Sequence, residues 1–239
     1  MPSAALLSMS SLPLGYRALI VGSSGAIGAA MVQHLQADAR CGAVLELSRS
    51  SQPRVDFDDE ASVARAAEAL RAHAPFHLIV NAAGLLHSEL GLPEKRLAQL
   101  NYAQLTQTFR ANTFGPALLL AHFTPLLARE RAVLALLSAK VGSIGDNRLG
   151  GWYGYRASKA ALNMLVKTAA IEVARQQPTA VLVALHPGTV DSALSAPFRG
   201  AEIGRPSALA SAEMLAVLDG LQPQDSGGFF SYTGEALPW

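Results

Sequence analysis

Arg17-Ala18-Leu19-Ile20-Val21-Gly22-Ser23-Ser24-Gly25-Ala26-Ile27-Gly28 runs from a short apolar strand through a glycine-rich turn into the start of a helix. The run 17–21 is apolar on both faces, as a strand buried on both sides must be. Downstream, residues 27–37 repeat apolar positions Met31, Val32 and Leu35 at helical spacing. The same unit recurs along the chain. Strands are predicted at 43–47, 54–56, 76–80, 132–137, 180–185 and 229–232, and the segments at 59–72, 94–127, 155–177 and 207–218 read as helices. Doubly apolar strands separated by helices imply a parallel sheet covered on both faces, a three-layer doubly wound α/β fold of about seven strands. No repeat, low-complexity tract or linker divides the chain, so residues 16–239 are expected to form one domain.

Of 239 residues, half are apolar and only 15% are charged, against a typical ~25% charged. Such a chain buries a large core. The net charge of +1 gives no footprint for nucleic acid or for an acidic membrane. Cys41 is the sole cysteine, which excludes an intrachain disulfide and suits a reducing, cytoplasmic setting. Residues 1–15 carry no Lys or Arg ahead of their apolar positions and contain Pro13, so they read as a loose tail rather than a signal peptide, with Met9 as an alternative start. No stretch approaches the ~20 apolar residues of a membrane helix. The histidines are scattered without metal-ligand spacing, and no G-x-S-x-G elbow is present.

Glycines at 22, 25 and 28 let the backbone turn tightly and bring N–H groups against a pyrophosphate at a helix N-terminus. The second strand ends at Ser48-Arg49 in place of the carboxylate that would hold a ribose 2′-hydroxyl, which suits a 2′-phosphate and so NADP(H) over NAD(H). Asp56 closes the short third strand, where it either meets an adenine edge or merely neighbours a helix cap. Asn81-Ala82-Ala83-Gly84 ends the next strand at the carboxyl edge, where open α/β sheets bind ligands.

Tyr155-Arg156-Ala157-Ser158-Lys159 sets a phenol and an ammonium one helical turn apart. A nearby cation favours the ionised phenol, so Lys159 is expected to lower the Tyr155 pKa from its usual ~10. Pro116 lacks an N–H and so frees the carbonyl of Asn112 within the long helix.

The glycine turn, Asn81-Ala82-Ala83-Gly84, Tyr155-x-x-x-Lys159 and His186-Pro187-Gly188, in this order, resemble the short-chain dehydrogenase/reductase family. The stretches Ser143 to Tyr155 and Gly234 to Trp239 are similar to its C-factor-like branch. The resemblance implies hydride transfer between a nicotinamide and a small carbonyl or alcohol. Tyr155 would exchange the proton, Lys159 would also hold the nicotinamide ribose, and Asn112 would hold a relay water. Gly22, Ser23, Ser24, Ala26, Ile27, Gly28, Ser48, Arg49, Asp56, Asn81, Ala82, Ala83 and Gly84 would hold the dinucleotide, with Pro187, Gly188, Thr189 and Val190 bordering the nicotinamide. Two departures stand out. Ala26 replaces the usual middle glycine, and Ser138-Ala139 replaces a serine pair of which the second acts on substrate oxygen. Ser138 is the first candidate for that role and Ser143 the rival. A nucleotide-binding signalling protein of C-factor type, with little turnover, is the alternative function. The segment 191–205, with Leu194 and Phe198, is expected to be a substrate lid. Apolar residues on several faces of the helices around 106–127 and Tyr155 predict a homodimer or homotetramer. No metal is called for.

Overall fold

A computed structural model of the chain describes residues 8–239. Its strands are β1 (Tyr16–Val21), β2 (Cys41–Leu47), β3 (Leu78–Asn81), β4 (Ala132–Leu137), β5 (Ala180–His186) and β6 (Phe229–Ser231). The main helices are α1 (Ala26–Ala37), α2 (Glu60–Leu70), α3 (Tyr102–Phe109), α4 (Gly115–Phe123) and α5 (Tyr153–Ala174), followed by the single turn α6 (Gly200–Ile203) and α7 (Ser207–Gly220). The sheet order is β2-β1-β3-β4-β5-β6 and every pairing is parallel. The chain therefore steps one way from β1 to β2 and the other way to β3, which leaves a crevice at the carboxyl edge between them.

Alternation along each strand divides the core in two. Ala132, Leu134 and Leu136 of β4 join Val63, Leu119, Phe123, Leu162 and Val166 from α2, α4 and α5. Their neighbours Val133, Ala135 and Leu137 join Met31, Leu35, Met214 and Leu218 from α1 and α7 on the other face. Register aligns Val21 with Leu47 and Asn81, and Asn81 with Leu136, so the loops after these strands leave from one edge.

Among the described residues there are six strands, not seven. The expected strand at 54–56 is absent because side chains take its backbone groups. Ser62 Oγ accepts from Asp56 N and donates to Asp56 O, each at 2.9 Å. Ser51 Oγ donates to Pro53 O at 2.7 Å, and a proline has no N–H for a ladder. Only Val55 N, bonded to Ser48 O at 2.9 Å, keeps a link to the β2 exit.

The loose tail expected over residues 1–15 also needs correction from Ser8 onward; residues 1–7 lie outside the described residues. Met9 and Leu12 are fully buried against α1, α7 and the sheet. Asp219 accepts from the backbone and hydroxyl groups of Ser10 and Ser11. Asp38 accepts from Met9 N and Tyr16 Oη, both at 2.9 Å. The sequence hid this because the segment's anchors are carboxylates far away in the chain.

Burial pushes the Asp38 carboxyl up, but donors from Met9, Arg40, Tyr16 and Ser8 outweigh it and hold the group below its usual range. A carboxylate depressed in the folded state stabilises fully above its unfolded value of ~3.9 and loses that contribution as pH falls through the folded titration. Asp38→Asn should lower stability at neutral pH by about 1–3 kcal/mol. The difference from the parent chain should shrink as pH drops below ~3.9, as read by urea unfolding across pH.

Candidate active site

Gly22, at φ +83°, approaches the β3 exit so closely that a Cβ would lie 2.6 Å from Ala83 N. A Cβ on Gly28 would lie 2.2 Å from Gly22 O. These two positions admit no side chain, and they lower the turn onto the sheet edge. Ala26, in contrast, is exposed at the first residue of α1, so its replacement of the expected glycine costs no space. The helix begins without a side-chain cap or an acidic residue in its first turn. Its N–H groups thus face a cleft of about 520 Å³ and suit an anion there.

Of the residues expected from the sequence, Gly22, Ser24, Ala26, Ile27, Ser48, Arg49, Asp56, Ala82, Ala83 and Gly84 line this cleft. Ser23, Gly28 and Asn81 stand behind it, buried. Ser23 Oγ reaches Leu47 O at 3.5 Å and Asn81 Oδ1 accepts from Ala83 N at 3.1 Å, so both shape the turns rather than the wall. After β2, Ser48 Oγ accepts from Ser50 N and Ser51 N at 3.2 and 3.1 Å. That tight turn presents Arg49 at the cleft. Phe57, Leu85, Gln107 and Leu194 also line it. Leu194 belongs to the expected lid; Phe57, Leu85 and Gln107 carry no periodic signal, because each sits in a loop or on a helix flank chosen by tertiary packing.

At the inner end of the cleft three elements converge. The chain from α3 to α4 passes through a π turn at Arg110–Phe114, the wide turn that the missing Pro116 N–H anticipates. Asn112 is fully buried there. Its Oδ1 accepts from Leu85 N at 2.8 Å, and its Nδ2 donates to Leu85 O at 2.7 Å and Ser158 Oγ at 3.2 Å. Gly84 lies between: a Cβ on it would be 3.3 Å from Asn112 Oδ1 and 3.6 Å from Lys159 Nζ. Lys159 is itself buried. Its Nζ donates to Leu137 O at 2.8 Å and lies 5.8 Å from the centroid of the half-buried Tyr155 ring.

The electrostatics differ from the sequence expectation. Burial pushes the Tyr155 phenol above its usual value, and burial also pulls Lys159 down, to about 8. With the ammonium spent on the Leu137 carbonyl, desolvation rather than attraction between the pair governs both groups. Tyr155 is consequently held protonated at neutral pH.

Neither serine candidate offers a free hydroxyl. Strand alternation turns Ser138 toward α5, where its Oγ donates to Asn163 Oδ1 at 2.6 Å. In this arrangement Ser138 ties β4 to α5, its one hydrogen engaged by Asn163. Asn163 lies two helical turns beyond Tyr155, about 12 Å along the axis. Ser143 is 1% exposed; its Oγ lies 3.3 Å from Trp239 O and accepts from Asp146 N at 3.1 Å. Ala139 supplies none.

Pro187, Gly188, Thr189 and Val190 leave β5 at the same sheet edge, outside the lining of the cleft. Arg205 fastens them. Its Nη2 donates to Pro187 O at 2.6 Å, its backbone N–H to Thr189 O at 2.9 Å, and its guanidinium pairs with Glu213 and lies 3.5 Å from the centroid of the Tyr232 ring. His186 is kept uncharged, pulled down to about 4 by burial and by the charges of Lys140 and Arg205. The lid predicted at 191–205 contains a short 3-10 turn at Ala196–Phe198 and α6. Glu94 and Trp152 escaped the sequence reading. Glu94 caps the start of α5, accepting from Gly154 N at 3.0 Å through Oε2 and from Trp152 N at 2.5 Å through its backbone. The Gly150-Gly151 pair, at φ +62° and +64°, was the available signal that the chain turns sharply into this helix. Among the described residues no group of three or more His, Cys, Asp or Glu side chains gathers where a metal could be held.

A family model described as short chain dehydrogenase matches residues 16–202. The chain is 37% identical over 145 residues, 60% of its length and 83% of the relative's, to the C-signal of Myxococcus xanthus. It is 31% identical over 189 residues, 79% of its length and 80% of the relative's, to the 1-hydroxy-2-glutathionyl-2-methyl-3-butene dehydrogenase of Rhodococcus sp. (strain AD45). Among solved structures, an NADPH-bound carbonyl reductase from chicken fatty liver superposes with a TM-score of 0.80 at 26% identity, covering 95% of this chain and all of the other.

A buried lysine pulled down to about 8 binds fewer protons folded than unfolded between about 8 and ~10.4, so stability must rise across that window. The melting temperature should climb relative to Lys159→Met as pH increases from about 8 toward ~10.4. Parallel curves for the two proteins would show that Lys159 is not desolvated.

Proposed function

Because the chain belongs to the short-chain dehydrogenase family, we propose that it is an NADP(H)-dependent reductase of small carbonyl compounds. The observation that carries this reading is the meeting of Gly84, which lines the glycine-turn cleft, with Asn112 and Lys159 beside Tyr155. The uncapped α1 N-terminus and the Gly22–Ala83 approach suit a pyrophosphate, and the Ser48-Arg49 turn suits a 2′-phosphate. The cofactor, when bound, supplies the hydride that reduces the carbonyl carbon.

The protein's own part is the proton. Tyr155, held protonated by burial, gives its hydrogen to the substrate oxygen as negative charge develops there, completing the alcohol. Lys159, cationic below about 8, stabilises the resulting phenolate, and Asn112 keeps the Gly84–Leu85 turn against it. Pro187 to Val190, fastened by Arg205, would border the nicotinamide of a bound cofactor. The setting is proposed as cytoplasmic; among the described residues no helix is long and apolar enough to cross a membrane.

A second reading, a dinucleotide-binding signalling protein with little turnover, is favoured by one observation. Ala139 and the engaged hydroxyls of Ser138 and Ser143 leave Tyr155 as the only side-chain donor assigned to substrate oxygen. A screen of NADPH oxidation over aldehydes, ketones and quinones separates the two readings. Under the first, Tyr155→Phe should lower turnover by about 10³-fold while NADPH still binds. Tight NADPH binding with no turnover on any carbonyl would support the second.

The preference for NADPH over NADH should fall by about tenfold or more in Arg49→Ala, as loss of a charged hydrogen bond implies. An unchanged ratio of the two Kd values would remove Arg49 from the phosphate site.

We also propose self-association through the faces of α4 and α5. On these helices Leu119, Leu120, Leu162 and Val166 are buried in the core, and Leu118 and Leu165 are half-buried against it. The exposed positions are Phe114, Met164 and Ile171, at 53%, 66% and 53%. Light scattering should give a dimer or tetramer, and Met164→Lys with Ile171→Lys should shift it toward monomer.

A further inference from the structure

Trp152 is held in a conformation that a large side chain rarely adopts. Its φ is +53° and ψ is 42°, left-handed backbone outside glycine, a state that costs on the order of 1–3 kcal/mol and persists only where surroundings enforce it. The enforcement is visible. Its N–H donates to Glu94 O, and Arg156 takes the carbonyls of Gly150, Gly151 and Val141, pinning both flanks of the turn to α5. The result is an indole set edge-on to Tyr155, with ring centroids 6.2 Å apart and planes at 75°. Phe198, from the lid, rests on the same indole at 5.0 Å. His87 completes the row, 6.0 Å from Phe198, with Nε2 at 3.2 Å from Ala193 O of the lid.

The charges around this row are already engaged. Lys140 pairs with Asp146, Arg199 with Glu202, and Arg205 with Glu213. Arg156 is spent on three carbonyls, and Arg148 donates to Gly145 O and Asn147 O. Each of these cations already holds a carboxylate or a carbonyl. Beside the Tyr155 ring stands the π surface of Trp152.

We propose that Trp152, Phe198 and His87 form a stacking wall beside Tyr155 that selects uncharged substrates whose carbonyl is attached to a planar aromatic ring. The proposal rests on the carbonyl-reductase reading for its position next to Tyr155, and deepens it by naming the substrate class. A substrate presenting its oxygen to Tyr155 must lie along the indole. An aryl group gains offset or edge-to-face contact there that a saturated ring of equal size does not. Phe198, already resting on the indole, comes from the lid together with Leu194, which stands on the wall of the adjoining cleft.

The test uses benzamide and cyclohexanecarboxamide, which share a polar end and differ in ring planarity. Calorimetric Kd values are measured on the full chain, alone and saturated with NADP⁺. Benzamide should bind about tenfold more tightly, and the preference should fall to within about threefold in Trp152→Ala and in Phe198→Ala. Phe198→Ala stands in the lid and keeps the test open should Trp152→Ala fail to fold. Equal affinities in the parent chain, or a preference untouched in both variants, would overturn the wall. Reduction of benzaldehyde by NADPH is followed alongside. Aryl preference without any turnover would retire the reductase reading and leave the wall standing; turnover without aryl preference would do the reverse.

Discussion

The paired hydrogen bonds between the Asn112 side chain and the backbone of Leu85 are the constraint on which the site depends. One amide satisfies both the N–H and the carbonyl of a residue that leaves the sheet, and it does so from a fully buried position. In a low-dielectric interior such a match is strong, and breaking it would orphan buried groups. It fixes the β3 exit turn against the helical layer. Gly84 is thereby placed beside both groups, where a Cβ would lie 3.3 Å from Asn112 Oδ1 and 3.6 Å from Lys159 Nζ. The π turn that carries Asn112 is a distortion with a use: it widens the helix enough to aim this amide inward.

Close approach of backbone to backbone recurs as the building method. Gly142 brings the turn after β4 against α5, where a Cβ would lie 2.7 Å from the Lys159 Cβ. Gly115 makes room for Phe57, whose Cγ lies 2.1 Å from where a Cβ would stand, and Phe57 in turn lines the cleft. The missing side chains are thus not merely permissive turns. They set how deeply each loop sits over the sheet edge, and so the depth of the site.

Much of the fold was legible because its signals are local. Unbroken apolar runs at β1, β4 and β5, with helices between them, carry the parallel sheet, and Tyr155 and Lys159 share a face by helical geometry alone. Illegible features were those settled by partners distant in sequence. The 54–56 segment has strand-like residues, yet Ser51 and Ser62 take its backbone groups. Residues 8–14 look like a tail until Asp38 and Asp219 are brought to them. Ser138 leaves the strand at the expected edge, but the side of the sheet it faces gives its hydrogen to Asn163. The Tyr155 titration was misjudged for a similar reason. Proximity to a cation is readable from spacing, whereas desolvation and the competing Leu137 carbonyl are not.

All pairings in the sheet join segments separated by an intervening crossover. Among the described residues no two of the six strands are joined as a hairpin, so loop-closure entropy must be met before their ladder bonds reward it. Until they pair, the doubly apolar runs of β4 and β5 lack their neighbours. Such stretches are sticky toward other unfinished copies. The same crossovers that bring the loops of the cleft to one carboxyl edge thus delay the pairing of the strands beneath it.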